Sequence, residues 1–383
     1  MGNNVNGNEL QFFTESGAYL HALRNDFLSA RKRIWIESYT ISDDEKLRDL
    51  MAVVREKASS GLDCRVTYDA VGSFQTASRF WDEMKESGVK VYAYRPLRYG
   101  WWRTRFLQRF QRRSHRKLIV VDEQISYFGG MNLADLGGSA NPPSFEMSAP
   151  AQPAWRDVQV RMAGEATAKV AKAFLALRPE TETSSSQGQA NPSRAQVFSS
   201  AEEAIYFIDS RPRMKYRRPA PYFRSLIRRA NTRITIAMAY FLPFGGVLRT
   251  LRKAARRGVA IEVIVPAESD VRLVQWATQH MYEKLIKQGF AVYERRDQML
   301  HSKVMVVDGE WSVVGSCNFD PRSFLINLEF FAIIRSKGIA QQLNEILDYE
   351  RANSNRIGED SHRKSSLMQR LIRRIAWSFR RWL

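Results

Sequence analysis

One pattern, His-x-Lys-x4-Asp, occurs twice in this chain: His115, Lys117 and Asp122 fill the first copy, His301, Lys303 and Asp308 the second. Between Lys and Asp lie Leu118 to Val121 in one copy and Val304 to Val307 in the other, apolar and largely β-branched. Such runs read as buried strands. A strand alternates its faces, so the His and Lys of each copy project to the same side. Each copy is trailed by a Gly-(Gly/Ser)-x-Asn run, Gly129 to Asn132 and Gly315 to Asn318. Two unrelated histidine-bearing strands would not share all of this. The chain must build the same strand, with the same chemistry at its mouth, twice.

The duplication reaches beyond the motifs. In the first half, periodicity predicts strands at 10–13, 33–39, 64–69 and 89–94, with helices over 17–30, 44–59 and 76–87. Ser16 is the expected N-cap of the first helix and Gly61 the C-cap of the second. The second half repeats the order, with strands at 233–240, 260–266 and 291–294 and helices at 247–257 and 282–288. Arg33-Ile34 aligns with Arg233-Ile234, Gly61 with Gly258, and Gly88 with Gly289. Alternating strands and helices are the grammar of an α/β sheet, and a repeat of about two hundred residues is far too long for a solenoid. The expected fold class is α/β: two similar domains from an internal duplication, each a mixed β-sheet flanked by helices, with one shared active site at their interface. The expected boundaries are 1–179 for the first domain, 180–196 for a polar, Pro-containing linker, 197–357 for the second domain and 358–383 for a basic amphipathic tail. Residues 139–153 read as an exposed loop that the second half lacks.

These motifs, with Tyr68 to Ser73, Ala239 to Pro243, Ala254 to Val259 and Ser316 to Ser323, resemble the phospholipase D superfamily and most closely its bacterial cardiolipin synthase branch. The resemblance covers most of the chain, from the first strand through about Ile334. It is to the shorter branch, without N-terminal transmembrane helices. It implies that one motif histidine attacks phosphorus to give a phosphohistidine, while the other protonates the leaving alcohol and then deprotonates the incoming one. It makes His115 the nucleophile and His301 the acid and base; the residues alone do not choose between them. It also implies that Lys117, Lys303, Asn132 and Asn318 bind the non-bridging oxygens.

A single half-site cannot complete a displacement at phosphorus. The nucleophile needs an acid opposite it, and the phosphoryl oxygens need charge neutralised from both sides. Two halves folded face to face supply both. Lysine charge then serves where metal ions serve elsewhere, so no cofactor and no metal are expected. A nucleophilic imidazole must also be held in one tautomer, usually by a carboxylate. Asp157, in Trp155-Arg156-Asp157, and Glu329, in Asn327-Leu328-Glu329, each open an apolar strand after the motif Asn and are the candidates for that role. Asp122 and Asp308 lie beyond the strand from the His and Lys and are expected to bond backbone or neighbouring side chains.

The net charge of +19 calls for a polyanionic partner, nucleic acid or an anionic membrane face. The two cysteines, Cys64 and Cys317, exclude a disulfide framework or a zinc finger, and Cys317 reads as a small buried residue. No run is long enough to span a bilayer, and the N-terminus lacks the features of a secretory leader. Two segments favour lipid. Residues 98–113 contain no acid and set Trp101, Trp102, Phe106 and Phe110 among arginines; from Leu367 on, apolar residues and Trp382 cover one half of a helical wheel, while arginines cover the other with Trp377 among them. Such basic amphipathic segments lie on anionic membrane surfaces, although single-strand nucleic-acid grooves interleave aromatics too. Gly358 to Ser366 is expected to set the tail apart from the folded body.

The expectation is a peripheral enzyme on the cytoplasmic face of a bacterial inner membrane. It transfers a phosphatidyl group from one phosphatidylglycerol to another, releasing glycerol, with no nucleic-acid partner. A phospholipase D that makes phosphatidic acid and a nuclease of the same superfamily are the alternatives.

Overall fold

The computed structural model describes residues 4–96, 112–134, 155–177, 191–199, 202–211, 218–244, 246–358 and 366–380. The first half supplies β1 (Asn4–Val5), β2 (Asn8–Phe13), β3 (Arg33–Ser38), β4 (Asp63–Asp69), β5 (Lys90–Tyr94), β6 (Leu118–Val121), β7 (Ile125–Gly129) and β8 (Gln159–Ala163). The second supplies β9 (Ala204–Ser210), β10 (Arg233–Met238), β11 (Ala260–Pro266), β12 (Phe290–Arg295), β13 (Lys303–Val307), β14 (Trp311–Gly315), β15 (Glu329–Arg335) and β16 (Ser354–Arg356). Each set forms its own sheet.

The two sheets are copies. The order β2-β8-β7-β6-β3-β4-β5 in one matches β9-β15-β14-β13-β10-β11-β12 in the other, with β1 and β16 as unmatched edge strands. Register agrees as well: Ile34 sits opposite Val121, and Ile234 opposite Val307. In both, three strands run parallel and the motif strand is antiparallel to its neighbour, so the sheets are mixed.

The motif strands are buried on both faces, and their alternation divides two cores. Leu118, Val120, Val304 and Val306 point into a core shared by both halves. Ile119 and Val121 face the first sheet's own helices, and Met305 and Val307 the second's. Phe128, Phe207 and Phe330 meet in the shared core at centroid distances of 5.4 to 6.0 Å. Burying each such ring contributes roughly 1.5–3 kcal/mol, so the halves are joined by hydrophobic packing as well as by their site.

Several local expectations change. Glu15, not Ser16, caps the first helix (Ser16–Ser29) in extended conformation, and Ser16 is its first residue. The Glu15 carboxylate is engaged 3.0 Å from Arg156, and an acid there also favours the helix dipole. Gly61 and its counterpart Gly258 do end helices in the left-handed region, at φ +93° and +91°. A short helix, Arg194–Ser199, begins within the segment read as a linker.

The C-terminal helix (Leu367–Ser378) is not set apart. It packs on the helix Arg272–Gln279, with Ala376 buried, Arg373 Nε donating to Gln279 Oε1 at 3.0 Å and Trp377 stacked on His280 at 5.7 Å. Trp377, expected at the membrane, is therefore half-buried against the body, because its ring finds the His280 ring to stack on. Leu367, Met368, Leu371, Ile375 and Phe379 stay exposed. Trp101, Trp102, Phe106 and Trp382, and the loop 139–153, lie outside the described residues. Among the described residues no helix is long and apolar enough to cross a membrane.

Candidate active site

Each motif histidine is anchored by a main-chain bond that crosses between the halves. His115 N–H donates to the Leu328 carbonyl at 2.9 Å, and His301 N–H to the Arg156 carbonyl at 2.7 Å. Leu328 and Arg156 precede Glu329 and Asp157, so the side chains cross too. His115 Nδ1 lies 3.2 Å from Glu329 Oε2, and His301 Nδ1 lies 2.6 Å from Asp157 Oδ2. Each half provides the carboxylate for the other half's imidazole. With Nδ1 of each ring turned to its carboxylate, Nε2 is the ring nitrogen on the side away from that carboxylate.

The lysines sit beside them. Lys117 Nζ donates to its own motif's His115 carbonyl at 2.8 Å and lies 5.5 Å from the Tyr39 ring centroid. Lys303 Nζ lies 3.3 Å from Asp157 Oδ2 and 3.1 Å from His301 Nε2. The carboxamide oxygens of Asn132 and Asn318 are buried and lack a hydrogen-bond partner among the described residues. Unsatisfied buried polar atoms are rare and costly; here they occur at matching positions in both halves.

Burial dominates the electrostatics. It pushes His115 down to about 4, aided by Lys117 and opposed by Glu329. His301 is also lowered, by burial and then by Lys303. Both imidazoles are therefore neutral near pH 7. Burial and the Lys303 ammonium push Lys117 down to about 7, and Lys303 is lowered by burial. Burial pushes Asp157 up, but Lys303 and His301 more than offset this and hold it below the usual carboxylate range. The result is a water-poor centre whose cations come from both halves.

Asp122 and Asp308 do not touch this centre. Asp122 accepts from the backbone N–H groups of Arg31, Lys32 and Arg33, each at 2.8 Å. Asp308 does the same with Asn231, Thr232 and Arg233, at 2.8 to 2.9 Å. Both sit at φ +53° in the turn that ends the motif strand. Their work is to tie that turn to the start of β3 or β10.

Other residues complete the site that the motifs alone did not single out. Tyr39 packs edge-on against His115 at 5.3 Å, and Tyr240 approaches His301 at 6.5 Å with its hydroxyl donating to Asp270. Tyr39 lies one residue past β3 and Tyr240 two past β10, so in the register that pairs Arg33 with Arg233 they stand one position out of step, and aligning the halves does not single them out. Trp155 lies 5.1 Å from the His301 ring. Glu329 is fully buried and is held by Ser323 Oγ at 2.8 Å and by Ser316 Oγ. Gly130 is required where Ser316 stands in the other half, because a Cβ there would come within 2.1 Å of Asp157 Oδ1. Arg113, read as part of the exposed basic segment, is buried and pairs with Asp69 at 3.3 Å; a desolvated guanidinium needs such a partner. Arg116, the unspecified residue between His115 and Lys117, is fully buried and bridges Glu37 of β3 to Asp209 of β9, the latter at 2.8 Å.

A duplicated α/β frame with two crossed histidine–carboxylate pairs and two lysines around one centre defines an enzyme of the phospholipase D type. A family profile described as cardiolipin synthase, PLD-like domain matches residues 23–142 and 223–350, once in each half. The chain belongs to that family, and it is an enzyme of the phosphatidyltransferase class. It is 28% identical to cardiolipin synthase A of Pseudomonas fluorescens over 96% of this chain and 74% of that protein. It is also 28% identical to a cardiolipin synthase of Halalkalibacterium halodurans, over 90% of this chain and 66% of the other. The crystal structure of a phosphatidylserine synthase from Haemophilus influenzae superposes with a TM-score of 0.66, covering 97% of this chain and 93% of that one at 14% identity. That likeness shows the fold.

Proposed function

We propose that this enzyme makes cardiolipin from two molecules of phosphatidylglycerol through a phosphohistidine. The observation that carries the reading is the crossed pairing of His115 with Glu329 and His301 with Asp157. His115 Nε2 attacks the phosphodiester phosphorus. The bond from phosphorus to the headgroup glycerol oxygen breaks, and that oxygen takes a proton from His301, which is neutral in the free site and takes up that proton as the phosphodiester anion enters beside Asp157, so glycerol leaves and the phosphatidyl group stays on His115. A hydroxyl of a second phosphatidylglycerol then gives its proton to His301 and attacks phosphorus, which frees His115 and yields cardiolipin.

The choice of His115 as nucleophile is supported by the different company the two rings keep. Lys303 Nζ crowds the His301 ring, 2.7 Å from Nδ1 and 3.1 Å from Nε2, whereas His115 Nε2 has no hydrogen-bond partner among the described residues. Lys117, Lys303, Asn132 and Asn318 bind the non-bridging oxygens, whose charge grows in the transition state. The enzyme works as a peripheral protein at the cytoplasmic face of the membrane, guided there by its +19 charge and by the exposed apolar side of the helix Leu367–Ser378. A first domain ending near 179 and a second beginning at the helix Arg194–Ser199 agree with the same duplication.

The test is labelled phosphatidylglycerol in mixed micelles, with wild type and His115→Ala, each with and without chelator. Cardiolipin and glycerol, formed despite chelator and lost in the variant, are the expected products. Phosphatidic acid as the main product makes the enzyme a hydrolase, and cleavage of single-stranded DNA with no lipid turnover makes it a nuclease.

A further inference from the structure

The duplicated halves differ sharply in charge. From Arg211 to Ile261 the sequence holds no Asp or Glu, whereas the corresponding helix of the first half, Glu45–Ser59, alone carries Glu45, Asp49 and Glu56. The fold concentrates part of this charge in a cleft of about 200 Å³ between the helices Ala220–Arg229 and Val247–Arg256. Arg224 and Arg228 line one wall, Arg249 and Lys253 the other, and among the described residues no acidic residue or active-site residue lines it.

Helix geometry makes this arrangement costly. Arg249 and Lys253 are four residues apart on one face, as are Arg224 and Arg228, and like charges at that spacing repel. Arg249 also sits in the first turn of its helix, where the dipole disfavours a cation. Packing does not require these groups, because Arg228, Arg249 and Lys253 are exposed. Arg257 closes one end of the cleft, its guanidinium donating to the carbonyls of Ile227, Arg228 and Ala230, the last at 2.9 Å. At the other end stands Gly246, at φ +84°, where a Cβ would come within 3.3 Å of Arg224 Nη1. A concave, acid-free site with converging cations is built for an anion with several acceptor oxygens.

We propose that this cleft is a second anion site, separate from the catalytic centre, that binds a phosphate group. The phosphate is either the headgroup of an anionic phospholipid or free inorganic phosphate. The test compares Arg228→Ala/Arg249→Ala/Lys253→Ala with a charge-matched control on the first half, Lys46→Ala/Arg79→Ala/Lys85→Ala. Binding to phosphatidylglycerol–phosphatidylcholine vesicles, to phosphatidylcholine vesicles and to inorganic phosphate is measured for each, alongside thermal unfolding and turnover of a short-chain substrate below its micelle concentration.

The cleft variant is expected to lose about tenfold in affinity for one phosphate-bearing probe, with the control close to wild type and with unfolding and turnover unchanged. Loss confined to anionic vesicles identifies a lipid headgroup; loss of inorganic phosphate binding identifies the free ion. Equal behaviour of cleft and control variants on every probe overturns the proposal, as does wild-type protein that binds none of them. Because short-chain turnover is read separately, failure of the cleft proposal leaves the catalytic reading untouched.

Discussion

His115 and Glu329 stand 214 positions apart in the chain, yet Nδ1 of one lies 3.2 Å from Oε2 of the other. Neither half holds a complete histidine–carboxylate pair, because the acid behind each imidazole comes from the opposite sheet. The two histidine–carboxylate pairs therefore form only when the halves dock.

If the carboxylates set tautomer and orientation, Glu329→Gln and Asp157→Asn should each lower kcat by about 10²–10⁴-fold while leaving the fold intact. Steady-state turnover beside circular dichroism checks this. Retention of near-wild-type kcat in both variants would refute the orienting role. Gly130→Ala should act like Asp157→Asn, since the added Cβ must displace the Asp157 carboxylate.

Asp122 and Asp308 make the opposite prediction. Each accepts three backbone N–H bonds at the end of a motif strand, remote from substrate. Asp308→Ala should cost about 1–3 kcal/mol of stability with kcat changed by less than about threefold. Denaturant midpoints and turnover measured on the same preparation separate the two effects.

Arg116 is fully buried between Glu37 and Asp209. Removing one partner of such a network leaves charges uncompensated, so Arg116→Ala should destabilise the protein by about 3–5 kcal/mol. Urea unfolding gives the number. A loss below about 1 kcal/mol would mean water relieves the exposed acids.

The lowered value of Lys117, about 7, carries a pH signature. In the free enzyme Lys117 is charged below that value and loses its proton as pH rises through it. An anion in the site favours the charged form, so binding at pH 8 takes up a proton and binding at pH 6 takes up little. Affinity should fall as pH rises through about 7. Calorimetry with a non-hydrolysable short-chain phosphonate, in buffers of different ionisation enthalpy, reads the proton directly. Lys117→Arg keeps its charge and should flatten the profile.

Much of this was legible in the chain. A repeated spacing of His, Lys and Asp around a four-residue apolar run specifies a buried strand with two functional groups at its mouth, and doing so twice specifies two like domains. That information is local, carried by side-chain alternation and by turn residues such as Gly61 and Gly258. The acids at Asp157 and Glu329 were readable as strand openers, but not the histidine each one serves.

Three-dimensional packing alone decided the rest. Crossing of the pairs depends on which backbone carbonyl each histidine N–H meets, and both carbonyls lie in the other half. Arg113 reads as surface charge in a basic run, and Trp377 reads as a membrane anchor on a helical wheel. The structure buries the first against Asp69 and stacks the second on His280, because a linear pattern records polarity but not which surface arrives opposite. The sequence by itself determined the two half-sites and their chemistry. Only the tertiary structure decided that each is finished by the other, since the desolvation that lowers the histidines and lysines exists only where the two sheets meet.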